Sequence, residues 1–198
     1  SRLMVYPSWT EDLQIKALEA VTVEDLRSFI PKLLGQISVV SLAHGNLGLD
    51  DAIKLGTVVR DGLLSGKEPS PEPHSQVVKL KSGASFVREI DIEHDDSAMT
   101  LYFQGEDKSI ESRARTGLLV QMLSTPFYAD MRTERQLGYI VFVTTAVMLE
   151  VPGISFVVQS PVADPQQLAT HTEAFLRAQL DVLRDMSTEQ FEVHRSGL

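Results

Sequence analysis

Apolar positions change period several times along this chain. Leu26, Phe29, Ile30, Leu33 and Leu34 recur at helical spacing behind Thr22 and the acids Glu24 and Asp25, which favour the N-terminal end of a helix. Pro31 within that stretch predicts a kink, because it lacks an N–H and crowds the preceding turn. After Gly35 the branched run ISVVSLAHGN predicts a strand, and Leu49 to Leu64 returns to helical spacing. GKEPSPEPHS, from Gly66 to Ser75, carries three prolines and almost no apolar content. It reads as a linker.

Beyond the linker the period becomes two. Val78 and Leu80 alternate with lysines, Ser82-Gly83 makes a turn, and Phe86, Arg88, Ile90 and Ile92 alternate with the opposite set, which predicts an antiparallel pair. Met99 to Gln104 predicts a third strand. Ser109 then caps a helix with Ala114, Leu118, Leu119, Met122 and Leu123 on its apolar face. Gly138 ends that helical region, Tyr139 to Val147 is a strand, Pro152-Gly153 turns the chain, and Ile154 to Gln159 returns as its hairpin partner. Asp164-Pro165 opens a helix with Leu168, Thr172, Phe175, Leu176, Leu180 and Leu183 on one side, and Ser187 with Gln190 forms a capping box for a last helix. The order β-β-β-α-β-β-α-α with short hairpin connections predicts an α+β fold, an antiparallel sheet with helices packed on one face. Residues 1–66 are expected to be the C-terminal part of a preceding α+β domain. Residues 67–75 are the linker, and 76–198 most of a last α+β domain, truncated in a helix.

Composition narrows the function classes. Hydrophobic residues make up 43% and charged residues 23% of the 198, an ordinary globular balance with no apolar run long enough to span a bilayer. The formal net charge of −9 argues against a nucleic-acid partner, since phosphate binding needs clustered Lys and Arg. With no cysteine there is no disulfide framework, thiolate metal site or cysteine nucleophile, and either a reducing cytosol or a periplasm is compatible.

Candidate chemistry is sparse. His44, His74, His94, His171 and His194 include no pair that sets two zinc ligands on one helical face. His94-Asp95-Asp96 reads as a solvated turn, and His171 as a structural histidine beside an apolar stripe. G-x-S-x-G, the P-loop and G-x-G-x-x-G are all absent. The most specific stretch is FYADMRTERQLGYIVF, Phe127 to Phe142, where Arg132 and Tyr139 flank Gln136-Leu137-Gly138 at a helix-to-strand corner. Such a guanidinium and phenol can grip a peptide carbonyl. From spacing alone, Arg132 could equally pair with Glu134, and Tyr139 could be a strand aromatic.

The longer pattern resembles a known family. The aromatic opening, the arginine-threonine, the acidic residue and the complete QLGYIVF, with FIPKLL, AHGNL, a proline linker and FVVQS in order around them, are similar to the C-terminal half of the insulysin and pitrilysin family of zinc peptidases. The resemblance implies four homologous α+β domains arranged as two bowls around a peptide chamber. It also implies zinc bound by an H-x-x-E-H motif in the N-terminal half, and that motif is absent here. Arg132 matches the family arginine that contacts the substrate backbone, and Tyr139 the tyrosine that helps to stabilise the tetrahedral intermediate. No metal ligand is assigned in this chain. The implied partners are peptide substrates and the N-terminal half of the same protein. The implied compartment is the periplasm for a bacterial member, with the cytoplasm as the alternative. A catalytically dead homologue serving as a structural subunit is the competing reading.

Overall fold

Local side-chain chemistry sets the helix starts. In the computed structural model, which describes residues 4–65, 67 and 74–198, Thr10 caps α1 (Glu11–Glu19) and Thr22 caps α2 (Val23–Gly35). Gly48 precedes α3 (Leu49–Val59), which continues as one π-helical turn, Arg60–Leu64. Ser109, Asp164 and Ser187 cap α4 (Ile110–Tyr128), α5 (Pro165–Arg184) and α6 (Thr188–Ser196), each accepting a backbone N–H from the first turn. These bonds satisfy donors that a helix leaves without partners. The Ser187–Gln190 capping box forms as the sequence predicts. Asp107 extends the α4 cap: its Oδ1 accepts from the Ser109 hydroxyl and N–H, which holds its pKa below the ordinary carboxylate value.

The chain resolves into two compact units, residues 7–76 and residues 77–198 together with 4–6. Most of the linker assigned to 67–75 lies outside the described residues. The first unit consists of α1, α2 and α3 with their connections. None of these helices buries a side chain; Leu26, Phe29, Ile30 and Leu33 of α2 are all about half exposed. α2 continues past Pro31 to Gly35. The strand expected over ISVVSLAHGN does not form; these residues belong to no helix or strand, with Val40 and Leu42 open to solvent. Branched residues favour a pleated backbone only where a neighbouring strand completes the ladder, and no described segment pairs with this one.

β1 (Val5–Tyr6) and β2 (Gln76–Val77) form a short two-stranded sheet at the join of the chain's two units, and within the second unit the Val78 N–H donates to the Met4 carbonyl at 2.8 Å. The antiparallel pair expected over Val78–Ile92 does not form. The Gln104 side chain takes the place of a strand: its Oε1 accepts from the Leu80 N–H at 2.8 Å, and its Nε2 donates to the Val78 carbonyl at 2.9 Å. Phe86, Val87, Ile90 and Ile92 belong to no strand and are exposed.

The main sheet has three antiparallel strands, β3 (Ser97–Gln104), β5 (Gly153–Ser160) and β4 (Ile140–Thr145), with β5 in the centre. Register places Ala98 and Ile140 on either side of Gln159. α4 and α5 pack on this sheet, and the core is anchored by Phe127 of α4, which meets Phe156 of β5 and Phe175 of α5 edge-on, each at 5.2 Å between ring centres. Leu123, Met131, Val141, Val158 and Leu168 complete it. The architecture is the α+β layer that the element order predicts. The buried stripe of the α4 region agrees with the predicted face at Met122 and Leu123 and departs from it elsewhere: Thr116, Phe127 and Met131 are also buried, whereas Ala114 and Leu119 are exposed, because helix and sheet meet nearer the C-terminal end.

The β4–β5 hairpin turns at Leu149-Glu150, not at Pro152-Gly153. Met148 and Val151 exchange both backbone hydrogen bonds, at 2.9 and 3.0 Å, around two residues with φ of 46° and 72°. That is a two-residue turn with both central residues left-handed, a geometry that normally selects Asn or Gly. Leu149 is half exposed and adds little packing in return. Leu149→Asn is therefore expected to stabilise the fold by about 1 kcal/mol, read as a higher midpoint in urea at unchanged slope.

Candidate functional site

The corner between α4 and β4 is built by a change in helical pitch. α4 runs through Pro126 into a π-helical turn, Ala129–Glu134, a widened geometry often found at functional positions. Gln136 then takes a left-handed conformation, φ 53°, and the Leu137 N–H donates to the Met131 carbonyl at 2.9 Å. The Asp130 carboxylate accepts from Arg135 Nε at 3.0 Å, and an Arg135 guanidinium nitrogen lies 3.3 Å from His171 Nδ1 on α5. Buried Met131 and Leu137 fasten the inner side of this corner to the core.

Gly138 serves close approach. A Cβ at this position would stand 1.8 Å from the Gln159 carbonyl oxygen and 2.9 Å from its carbon. The left-handed residue of the corner is Gln136. Gly138, which the sequence places at the end of the helical region, is thus not the residue that turns the chain, and its missing side chain allows β4 to start against β5.

The structure brings the two sequence-predicted residues together. The Arg132 guanidinium donates to the main-chain carbonyl of Tyr139, and its carbon lies 5.4 Å from the centre of the Tyr128 ring, a cation–π arrangement. Arg132 is half-buried, and Tyr139 is 60% exposed, a surface position and not a core one. Arg132 thus clamps the backbone on which the phenol is mounted. One of its five N–H groups is used on that carbonyl, which leaves others able to meet an acceptor on a bound molecule.

Gln159 and Asp96 also belong to this corner, and the sequence pattern singled out neither for it. Gln159 Nε2 donates to Asp96 Oδ2 at 2.8 Å and to the Tyr139 hydroxyl oxygen at 3.5 Å. The only sequence signal was FVVQS, in which a polar residue ends an otherwise apolar strand. The Asp96 N–H donates to His94 Nδ1 at 2.9 Å, so His94-Asp95-Asp96 forms the turn read from the sequence. Among the described residues no three His, Asp or Glu side chains converge as a metal site requires, and H-x-x-E-H is missing from the sequence. The residues here do not fit a zinc site. What the corner offers chemically is a clamped, exposed phenol and a guanidinium, both hydrogen-bond donors.

The chain is similar in sequence and fold to known proteins over most of its length. Residues 118–198 match the family described as PQQ synthase PqqF-like, C-terminal lobe domain 4. The chain is 30% identical over 197 residues to a nardilysin-like protein of Arabidopsis thaliana, covering 96% of this chain and 19% of that protein. It is 30% identical over 202 residues to the insulin-degrading enzyme of Homo sapiens, covering 99% of this chain and 20% of that one. The crystal structure of pitrilysin superposes with a TM-score of 0.77 at 25% identity, over 97% of this chain and 20% of the other. The chain spans about a fifth of the length of these relatives. The chain belongs to the insulysin and pitrilysin family of zinc peptidases and corresponds to part of its C-terminal half.

Proposed function

We propose that this chain supplies substrate-binding and transition-state-stabilising groups to a zinc-dependent endopeptidase that encloses peptides and small unfolded polypeptides. The zinc of that parent protein is held by residues outside this chain. The observation that carries the reading is the exposed Tyr139 phenol, mounted on a backbone that Arg132 clamps by hydrogen bond. When the scissile carbonyl becomes tetrahedral, negative charge develops on its oxygen. A phenol O–H already aimed at that point stabilises the charge without reorganising. Arg132, with donors to spare, holds a substrate backbone carbonyl beside it. α1, α2 and α3 bury no side chain and expose Leu13, Leu26, Phe29 and Ile53, which supports a first unit that packs against further protein in the parent.

Metal analysis and peptide cleavage test the division of labour. Residues 1–198 alone, after dialysis, are expected to hold no stoichiometric zinc and to cleave no fluorogenic peptide, whereas the parent protein cleaves it in a chelator-sensitive manner. Stoichiometric zinc with peptidase activity in residues 1–198, or a parent without peptidase activity, would overturn the proposal.

A further inference from the structure

Gln159 and Asp96 set the direction in which the Tyr139 hydroxyl donates. Strand register places them there: Gln159 stands near the end of the central strand, between Ala98 of β3 and Ile140 of β4. Asp96 immediately precedes β3 and Tyr139 immediately precedes β4, so both reach the Gln159 amide from opposite sides. The Gln159 amide can present either oxygen or nitrogen to a neighbour. An ionised carboxylate only accepts, so Asp96, 2.8 Å away, requires the nitrogen. That NH2 group carries two hydrogens. One serves Asp96, and the other faces the Tyr139 hydroxyl oxygen at 3.5 Å.

We propose that Gln159 is a positioning residue for the peptidase reaction, oriented by Asp96, which occupies the Tyr139 oxygen with a donor and so leaves the phenol proton free to point outward to the substrate. If the amide were reversed, its oxygen would accept the phenol proton and turn the hydroxyl away from any bound peptide. The carboxylate, one step removed, thereby selects the donor sense of the phenol. Gly138 keeps the parts in register, since the bare backbone there allows Tyr139 to begin β4 directly against the Gln159 main chain. This inference rests on the role proposed above for Tyr139.

Two variants test it in the zinc-loaded parent protein, by steady-state kinetics on a short fluorogenic peptide. Gln159→Glu replaces the donor with an acceptor that captures the phenol proton. Asp96→Asn removes the group that enforces the amide sense, at a half-exposed position where folding is not at stake. Expected is a fall in kcat of about tenfold or more for Gln159→Glu and a few-fold fall for Asp96→Asn, each with KM nearly unchanged. In a Tyr139→Phe background neither should add a further loss, because the hydroxyl through which they act is gone. If Gln159→Glu lowers kcat as much in that background as in the wild type, Gln159 acts on the fold and the proposal is overturned, while the role of Tyr139 stands. If Gln159→Glu does not fold, an unchanged kcat in Asp96→Asn overturns it. If Tyr139→Phe alone keeps wild-type turnover, both the positioning role and the reading of Tyr139 fall.

Discussion

Tyr139→Phe in the parent peptidase is expected to lower turnover by about 10²–10³-fold while leaving KM nearly unchanged, by analogy with the loss of a single oxyanion-hole donor. The substitution removes one oxygen from a side chain that is 60% exposed, so it leaves no cavity in the core. Its effect on stability should stay within about 0.5 kcal/mol. The Gln159 amide keeps its bond to Asp96. A loss of turnover with intact folding and zinc content therefore reports a donor needed where charge develops in the transition state. Arg132→Ala should behave differently and weaken both binding and turnover, because it releases the Tyr139 carbonyl and the Tyr128 ring as well as any substrate contact. Arg132→Lys should not restore activity fully, since an ammonium lacks the planar fork that spans two acceptors.

Gly138→Ala is the substitution expected to damage the fold and the site together. The added methyl would stand 1.8 Å from a backbone oxygen of the central strand, far inside contact distance. No side-chain rotation relieves it, because the obstructing atoms are main chain. The start of β4 must move away from β5, breaking the register that pairs Ile140 with Gln159. Overpacking of this kind costs about 3 kcal/mol, the upper end for cases in which flexible side chains can give way. A fall in thermal midpoint of about 6–12 °C follows for a chain of this size. Turnover in the parent should fall further than stability alone explains, because Tyr139 is the next residue. Calorimetry of residues 1–198 and kinetics of the parent check the two parts, and a variant with wild-type midpoint and activity would show that the strands separate here at no cost.

What could be read from the sequence was mostly local. Helix starts at Thr22, Ser109, Asp164 and Ser187 were legible because each cap is decided within four residues. The β4 and β5 strands were legible from their apolar runs. Where a feature depends on a distant partner, the pattern pointed elsewhere. Alternation over Val78–Ile92 looks like a hairpin, yet the partner of Val78 and Leu80 is the amide of Gln104, more than twenty residues away. The hairpin turn sits at Leu149-Glu150, which carry no turn signature, while Pro152-Gly153 carry one and lie at the start of β5. At the corner, Arg132 and Tyr139, which the structure joins by a hydrogen bond, were singled out through the motif around them. Gln159 and Asp96 were not, because their meeting with Tyr139 follows from the register of three strands, which no single segment encodes.

The most direct measurement compares two ligands of the zinc-loaded parent, wild type against Tyr139→Phe. One is a phosphinic peptide, whose tetrahedral phosphorus and charged oxygen imitate the transition state. The other is the corresponding cleavage-product peptide, which carries no such centre. Expected is a loss of about 100-fold in affinity for the phosphinic peptide, with the product peptide nearly unaffected, since only interactions stronger in the transition state accelerate the reaction. Equal weakening of both ligands, or no weakening of the phosphinic peptide, would contradict a role for the Tyr139 phenol at the developing oxyanion.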